Sequence, residues 1–285
     1  MKKYYIILVL ISVILFLGLS ISGGYPGHHV KFPASALVYC AFTFIVLSRN
    51  SERRVKFYSI VIILLPFLLI DLPIHLIDFN ETLMSLPSTL ASFIGVVFGI
   101  LIYLSNKYLK IALSVLLIIG ATWMAVFGYQ NWLHKLNYGT YSGMISFKPS
   151  KPFEGIDQYG NHIADQDLKG KITLIDFWFT GCGICFSEFP DIQKLYDTYK
   201  NNPSILILAI NKPIKKDTIG QAYAMIKERN FTFPTLIPAN EELPEIFGVT
   251  EYPTIIIMDQ TGTVIFRGSL KKAEKVLQRL IKNAL

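Results

Sequence analysis

Cysteine is scarce in this chain: three thiols serve 285 residues, and histidine adds only five more soft ligands. A zinc site built on a cysteine pair needs further Cys or His nearby, and from residue 151 onward the chain offers only His162. Acidic residues are scarce too, but only in the first half. Residues 1–150 hold 11 Lys/Arg against 4 Asp/Glu and supply the whole net charge of +7, whereas residues 151–285 hold 16 of each. A neutral second half lacks the basic patch of a nucleic-acid surface, so nucleic acid is excluded as a partner.

What the first half has instead is apolar length. Five runs are long enough, or nearly so, to cross a bilayer: Tyr4–Ser22, Phe32–Ser48, Phe57–Ile77, Thr89–Ser105 and Ile111–Tyr129. With the N-terminus inside, the inner loops collect Lys2, Lys3, Arg49, Arg53, Arg54, Lys56, Lys107 and Lys110, while the outer loops hold only Lys31. That asymmetry predicts an N-in, C-out chain. Tyr129, Trp132, Tyr138 and Tyr141 then fit an aromatic belt at the outer interface. The first run also reads as a signal peptide with a cut after Ser20-Ile-Ser22, but its apolar stretch is long for that, and a retained span is expected. Either way the C-terminal half ends up outside, in an oxidising compartment where closely spaced cysteines make sense as a redox couple.

Within the runs a dithiol is missing. Cys40 is their one cysteine and is expected as a small packing residue. Asp71 and His75 share a helix face near the outer end of the third run, where they are a candidate proton or quinone site or simply face the interface. His28 and His29 in the first outer loop point apart if extended, which argues against a metal site. Pro66 and Pro73 are expected to kink the third span. The expected organisation is a helical membrane domain over 1–129, an interfacial linker over 130–150 and an α/β domain over 151–285.

The chemistry concentrates at Trp178–Pro190, Trp-Phe-Thr-Gly-Cys-Gly-Ile-Cys-Phe-Ser-Glu-Phe-Pro. Cys182 and Cys185 follow the buried-strand pattern Ile172–Phe179 and open a helix. Backbone N–H groups and the helix dipole stabilise a thiolate on the first cysteine, and the second lies close enough to attack a mixed disulfide formed by the first. Around them the pattern predicts a hairpin over Phe153–Lys171, a helix over 183–200, a strand over Ile205–Ile210, a helix over Asp217–Arg229, a hairpin of Thr254–Met258 with Val264–Arg267, and a terminal helix over Lys271–Asn283. A β-α-β unit followed by a hairpin and helix gives a helix-flanked mixed sheet.

Asp-Phe-Trp before the cysteines, Glu-Phe-Pro after them and a late Tyr-Pro-Thr before a strand together resemble thioredoxin-fold proteins, specifically the membrane-anchored thiol-disulfide oxidoreductases of the TlpA/ResA type. The resemblance covers about residues 151–285, and the stretch between Ile210 and Tyr252 resembles the strand and helix that subfamily inserts. It implies Cys182 as an exposed attacking thiol and Cys185 as the buried resolving one. It implies Asp176 as a buried strand carboxylate that takes the Cys185 proton, with Glu188 as a second acid. Pro253 would be a cis-proline offering backbone to an extended substrate, with Tyr252 and Trp178 beside the bound chain. Ile184 stands where many relatives have proline, and Tyr252 precedes the cis-proline position; both bear on direction and specificity. No cofactor beyond the Cys182–Cys185 disulfide is implied. The implied partners are exported proteins with disulfides and a membrane electron donor, at a bacterial inner membrane with the redox domain outside. The alternatives are a disulfide oxidase or isomerase, and a non-enzymatic assembly factor holding a soft metal.

Overall fold

The structure, a computed structural model, describes residues 2–21, 28–218 and 220–284. The chain divides into two compact units, Met1–Leu133 and His134–Leu285.

The first unit is helical. Helices α1 (Lys2–Ile21), α2 (His28–Ser48), α3 (Arg53–Pro66), α4 (Leu72–Ile77), α5 (Phe79–Thr82), α6 (Leu86–Leu104) and α7 (Lys107–Trp123) belong to it. Five stretches are long and apolar enough to cross a membrane: Lys2–Ile21, Val30–Ser48, Arg53–Ile77, Leu86–Leu104 and Lys107–Tyr138. They match the five expected runs. The last is longer than its apolar run, because α8 (Tyr129–Tyr138) continues the helix through Gln130, Asn131, His134 and Lys135. Pro66 is followed by a π-helical turn, Phe67–Asp71, and Pro73 sits in the first turn of α4, so the third span is interrupted where its prolines remove ladder donors. Helices α2 and α6 cross closely: a Cβ on Gly95 would lie 2.4 Å from the Ala36 carbonyl oxygen. Small residues allow such backbone approach where the surroundings are as apolar as the side chains. His28 and His29 start α2 rather than an extended loop, and their side chains lie outside the described residues.

The second unit is an eight-stranded mixed sheet with the order β1-β8-β7-β4-β5-β6-β2-β3. Its strands are β1 (Met144–Phe147), β2 (Glu154–Asp157), β3 (His162–Ala164), β4 (Ile172–Trp178), β5 (Ile205–Asn211), β6 (Thr235–Pro238), β7 (Thr254–Met258) and β8 (Val264–Gly268). Every residue of β4 is buried, as its continuous apolar run requires. It pairs parallel with β5 and antiparallel with β7. The helices are α9 (Asp165–Leu168), α10 (Gly183–Tyr199), α11 (Gln221–Glu228), α12 (Leu243–Ile246) and α13 (Leu270–Ala284). On one face of the sheet, Leu174 and Trp178 of β4 pack with Cys185, Phe189 and Ile192 of α10 and with Ala273 and Leu277 of α13. On the other, Ile175 and Phe177 pack with Phe153, Leu243 and Phe247.

Two expectations are revised. The segment expected as a linker carries β1, which pairs with β8 (Met144 opposite Phe266), so the sheet begins before residue 151. The helix expected from Asp217 starts at Gln221, because Gly220 takes φ +77° and sets the turn ahead of it.

Candidate redox site

Side chains alternate across a strand, so Asp176 shares the β4 face of Leu174 and Trp178, the face covered by α10. This puts its carboxyl on the side of the sheet that holds the cysteines. Cys182 caps α10, and its Sγ accepts a hydrogen bond from the Cys185 N–H at 3.1 Å. The two cysteines form a disulfide with Cα atoms 5.3 Å apart. Cys185 is fully buried, as the resemblance implies. Cys182, expected to be exposed, is only 6% exposed: in the oxidised pair its sulfur turns inward onto Cys185 and joins the same apolar cluster. Ile184, between the two, is instead 65% exposed.

Asp176 is 1% exposed, and neither carboxyl oxygen has a hydrogen-bond partner among the described residues. Burial without compensation disfavours the charged form and holds this carboxyl well above the usual carboxylate range; the nearby Glu188 pushes the same way. Glu188 is half-buried on α10, and its own carboxyl is raised by burial and then by Asp191. Both acids therefore stand with raised affinity for a proton on the α10 side of the sheet.

Trp178, expected at the substrate surface, is fully buried; its ring meets Phe186 and Phe189 at 5.5 and 5.2 Å, so it supports the site from beneath. Tyr252 is partly exposed and packs edge-on against Phe179 at 5.4 Å. Its hydroxyl is buried without a partner among the described residues, and burial, with Glu245 adding to it, pushes it up to about 12. The Tyr252–Pro253 peptide is cis.

The site also contains residues that the sequence did not announce. Thr180, two residues before Cys182, is buried and donates to Asp217 Oδ1 at 2.5 Å, while Asp217 Oδ2 accepts from the Ile214 N–H at 3.0 Å. The Lys212 N–H donates to the Trp178 carbonyl at 2.8 Å. The loop after β5 is thus fastened to the turn that carries the cysteines. Thr180 and Asp217 are far apart in sequence, and no local pattern links them. Among the described residues no group of three or more His, Cys, Asp or Glu is arranged to hold a metal.

Residues 148–267 match the model of the AhpC/TSA family. The thiol-disulfide oxidoreductase ResA of Bacillus thuringiensis subsp. konkukian is 26% identical over 178 residues, 62% of this chain and 96% of that protein. This half of the chain is a thioredoxin-like domain similar to ResA. The thioredoxin-like protein YneN of Bacillus subtilis is 29% identical over 161 residues, 54% of this chain and 91% of its own. A solved structure of a putative thioredoxin from Neisseria meningitidis aligns with a TM-score of 0.42 at 29% identity, covering 48% of this chain and 91% of that one. With its cysteine pair, the ResA-like domain makes the chain a thiol-disulfide oxidoreductase of thioredoxin fold.

Proposed function

We propose that the chain is a membrane-tethered reductase of disulfides in exported proteins, working on the outer side of a bacterial inner membrane. The observation that carries the reading is the Cys182–Cys185 disulfide at the start of α10, on the same sheet face as a buried, unpartnered Asp176. In the reduced enzyme the Cys182 thiolate, favoured by the N-terminus of α10, attacks a substrate sulfur; a mixed disulfide forms and one substrate thiolate leaves. Asp176 takes the proton of Cys185, the Cys185 thiolate attacks Cys182 Sγ, and the second substrate thiolate leaves. The raised pKa of Asp176 suits this, because a carboxyl nearer the thiol range exchanges a proton at small cost. The enzyme is left with its own disulfide and with the Cys185 proton on Asp176; the proton returns to Cys185 on reduction, and restarting needs two electrons. Cys40 stands alone in the helical half, so these come from a separate membrane donor that presents a dithiol.

Anchoring rests on the five apolar helices, and sidedness on the eight inner-loop cations against one. Tyr252 and Pro253 form the proposed docking loop for an extended substrate, and Glu188 a second proton route. Two measurements test the reading. A membrane-impermeant thiol reagent should label Cys182 in intact cells after reduction, with the outer membrane permeabilised if there is one; labelling only after lysis would refute the sidedness. The domain should equilibrate with glutathione at a potential near that of thioredoxin, about −270 mV. A value near that of a strong oxidant, about −120 mV, would favour the oxidase reading.

A further inference from the structure

Tyr138 plays no part in the exchange steps above. It lies ahead of residues 148–267, and the sequence pattern assigns it to an interfacial aromatic belt. In the structure its hydroxyl donates to the carbonyl oxygen of Pro253 at 3.2 Å. The residue is held from its other end as well. Arg267 Nε and Nη2 donate to the Tyr138 carbonyl at 3.4 and 3.3 Å, and Nη1 donates to the Gly248 carbonyl at 2.8 Å. One guanidinium therefore joins Tyr138 to the segment that leads into the Tyr252–Pro253 turn. Gly248 has φ +66°, and a Cβ there would sit 2.0 Å from Nη1, so this clamp needs glycine.

The turn is braced on its remaining side by the Tyr252 ring against Phe179 and by Thr254 Oγ1, which donates to the Glu251 carbonyl at 2.6 Å. The acidic groups that act on the Tyr138 phenol are Glu188, Glu251 and Asp176, two of them the acids of the redox site. A residue ahead of 148–267 thus reaches the Tyr252–Pro253 turn and fixes one of its carbonyls. We propose that Tyr138 is a positioning residue of the redox site: its hydroxyl holds the Tyr252–Pro253 loop in the orientation that receives an extended polypeptide. The inference rests on the thiol-exchange reading and deepens it.

The test compares full-length wild type and Tyr138→Phe in detergent, with insulin as a polypeptide disulfide and a small aromatic disulfide that makes no use of the loop. Loss of one neutral hydrogen bond corresponds to about a two- to tenfold rise in KM for insulin. The kcat for insulin and the rate on the small disulfide should not change. An unchanged KM for insulin overturns the inference. So does an equal loss on both substrates together with a lowered Tm, because that is the mark of a purely structural role. A wild-type chain that reduces no insulin overturns the thiol-exchange reading and this inference together, whereas an active wild type with an unaffected variant removes only the inference.

Discussion

In the helical unit Asp71 accepts a hydrogen bond from Thr89 Oγ1 at 2.6 Å, and one turn on, His75 Nδ1 donates to the Asp71 carbonyl at 2.8 Å. In the sheet unit Asp176 is more deeply buried and neither of its oxygens is met by another described residue. The sulfurs divide in the same way. Cys40 packs singly among Ala36, Ile102 and Leu117, whereas Cys182 and Cys185 are bonded to each other at a helix start. An orphaned buried carboxyl costs stability, so its persistence beside a redox pair needs a chemical reason, and proton exchange with Cys185 supplies one. Asp71 has a partner and asks for no such reason.

The largest effect that would sharpen this contrast is on the sulfurs. Cys182→Ser should abolish insulin reduction, while Cys40→Ala should leave both the activity and the redox state of the Cys182–Cys185 pair in cells unchanged. If Cys40→Ala locked the pair oxidised, the helical half would be an electron conduit and the contrast would break.

The aspartates come next. Asp176→Asn should slow release of the mixed disulfide by about a hundredfold, the scale of one general base; Asp71→Asn should not slow it. The same substitution carries a stability signature. Below about pH 4 residue 176 is protonated in both folded and unfolded chains. Above that the unfolded chain loses the proton and the folded chain keeps it until its raised pKa is reached. The folded state then binds more protons, so wild-type stability falls with rising pH across that window. The Tm of Asp176→Asn relative to wild type should therefore climb as the pH rises above about 4 and level off once the raised pKa is passed, and parallel Tm profiles would show that Asp176 ionises normally.

How much of this was legible in the sequence follows from locality. The run Ile172–Phe179 and the adjoining Cys-x-x-Cys are contiguous signals, and β4, α10 and the disulfide were readable from them. The five apolar runs were readable for the same reason. The end of the fifth helix was not, since it continues through polar residues where hydropathy gives no cue, and Tyr138 lies in that continuation. Strand β1 is four residues long and is specified mainly by its pairing with β8. The Thr180–Asp217 bond joins segments that only the β4–β5 pairing brings together. Exposure of Cys182 was misread because the resemblance describes a reactive thiol, and the disulfide turns that sulfur inward.

Strand β1 gives the third test. A fragment of residues 151–285 loses the β1–β8 pairing together with the packing of Ile145 and Phe147. Against a fragment of residues 134–285 it should melt about 10 °C lower, taking about 3 kcal/mol for the exposed apolar surface and about 3 °C per kcal/mol for a domain of this size. Equal Tm values would put the domain boundary back at residue 151. The smallest expected effect is at Tyr252. Its hydroxyl is buried without a partner among the described residues, so Tyr252→Phe should leave the Tm unchanged or raise it slightly. A marked fall would mean that the hydroxyl has a partner in solution.

The order in which the two thiols act decides most directly whether Cys182 is the attacking thiol. Full-length Cys185→Ser, expressed in cells and alkylated on lysis, should appear on non-reducing gels as covalent adducts that disappear with reductant. Mass spectrometry should place Cys182 in the linkage and exported proteins as its partners, and the double variant Cys182→Ser/Cys185→Ser should show none. Adducts that persist in the double variant, or no adducts from Cys185→Ser while Cys182→Ser forms them, would contradict the assignment of Cys182 as the attacking thiol.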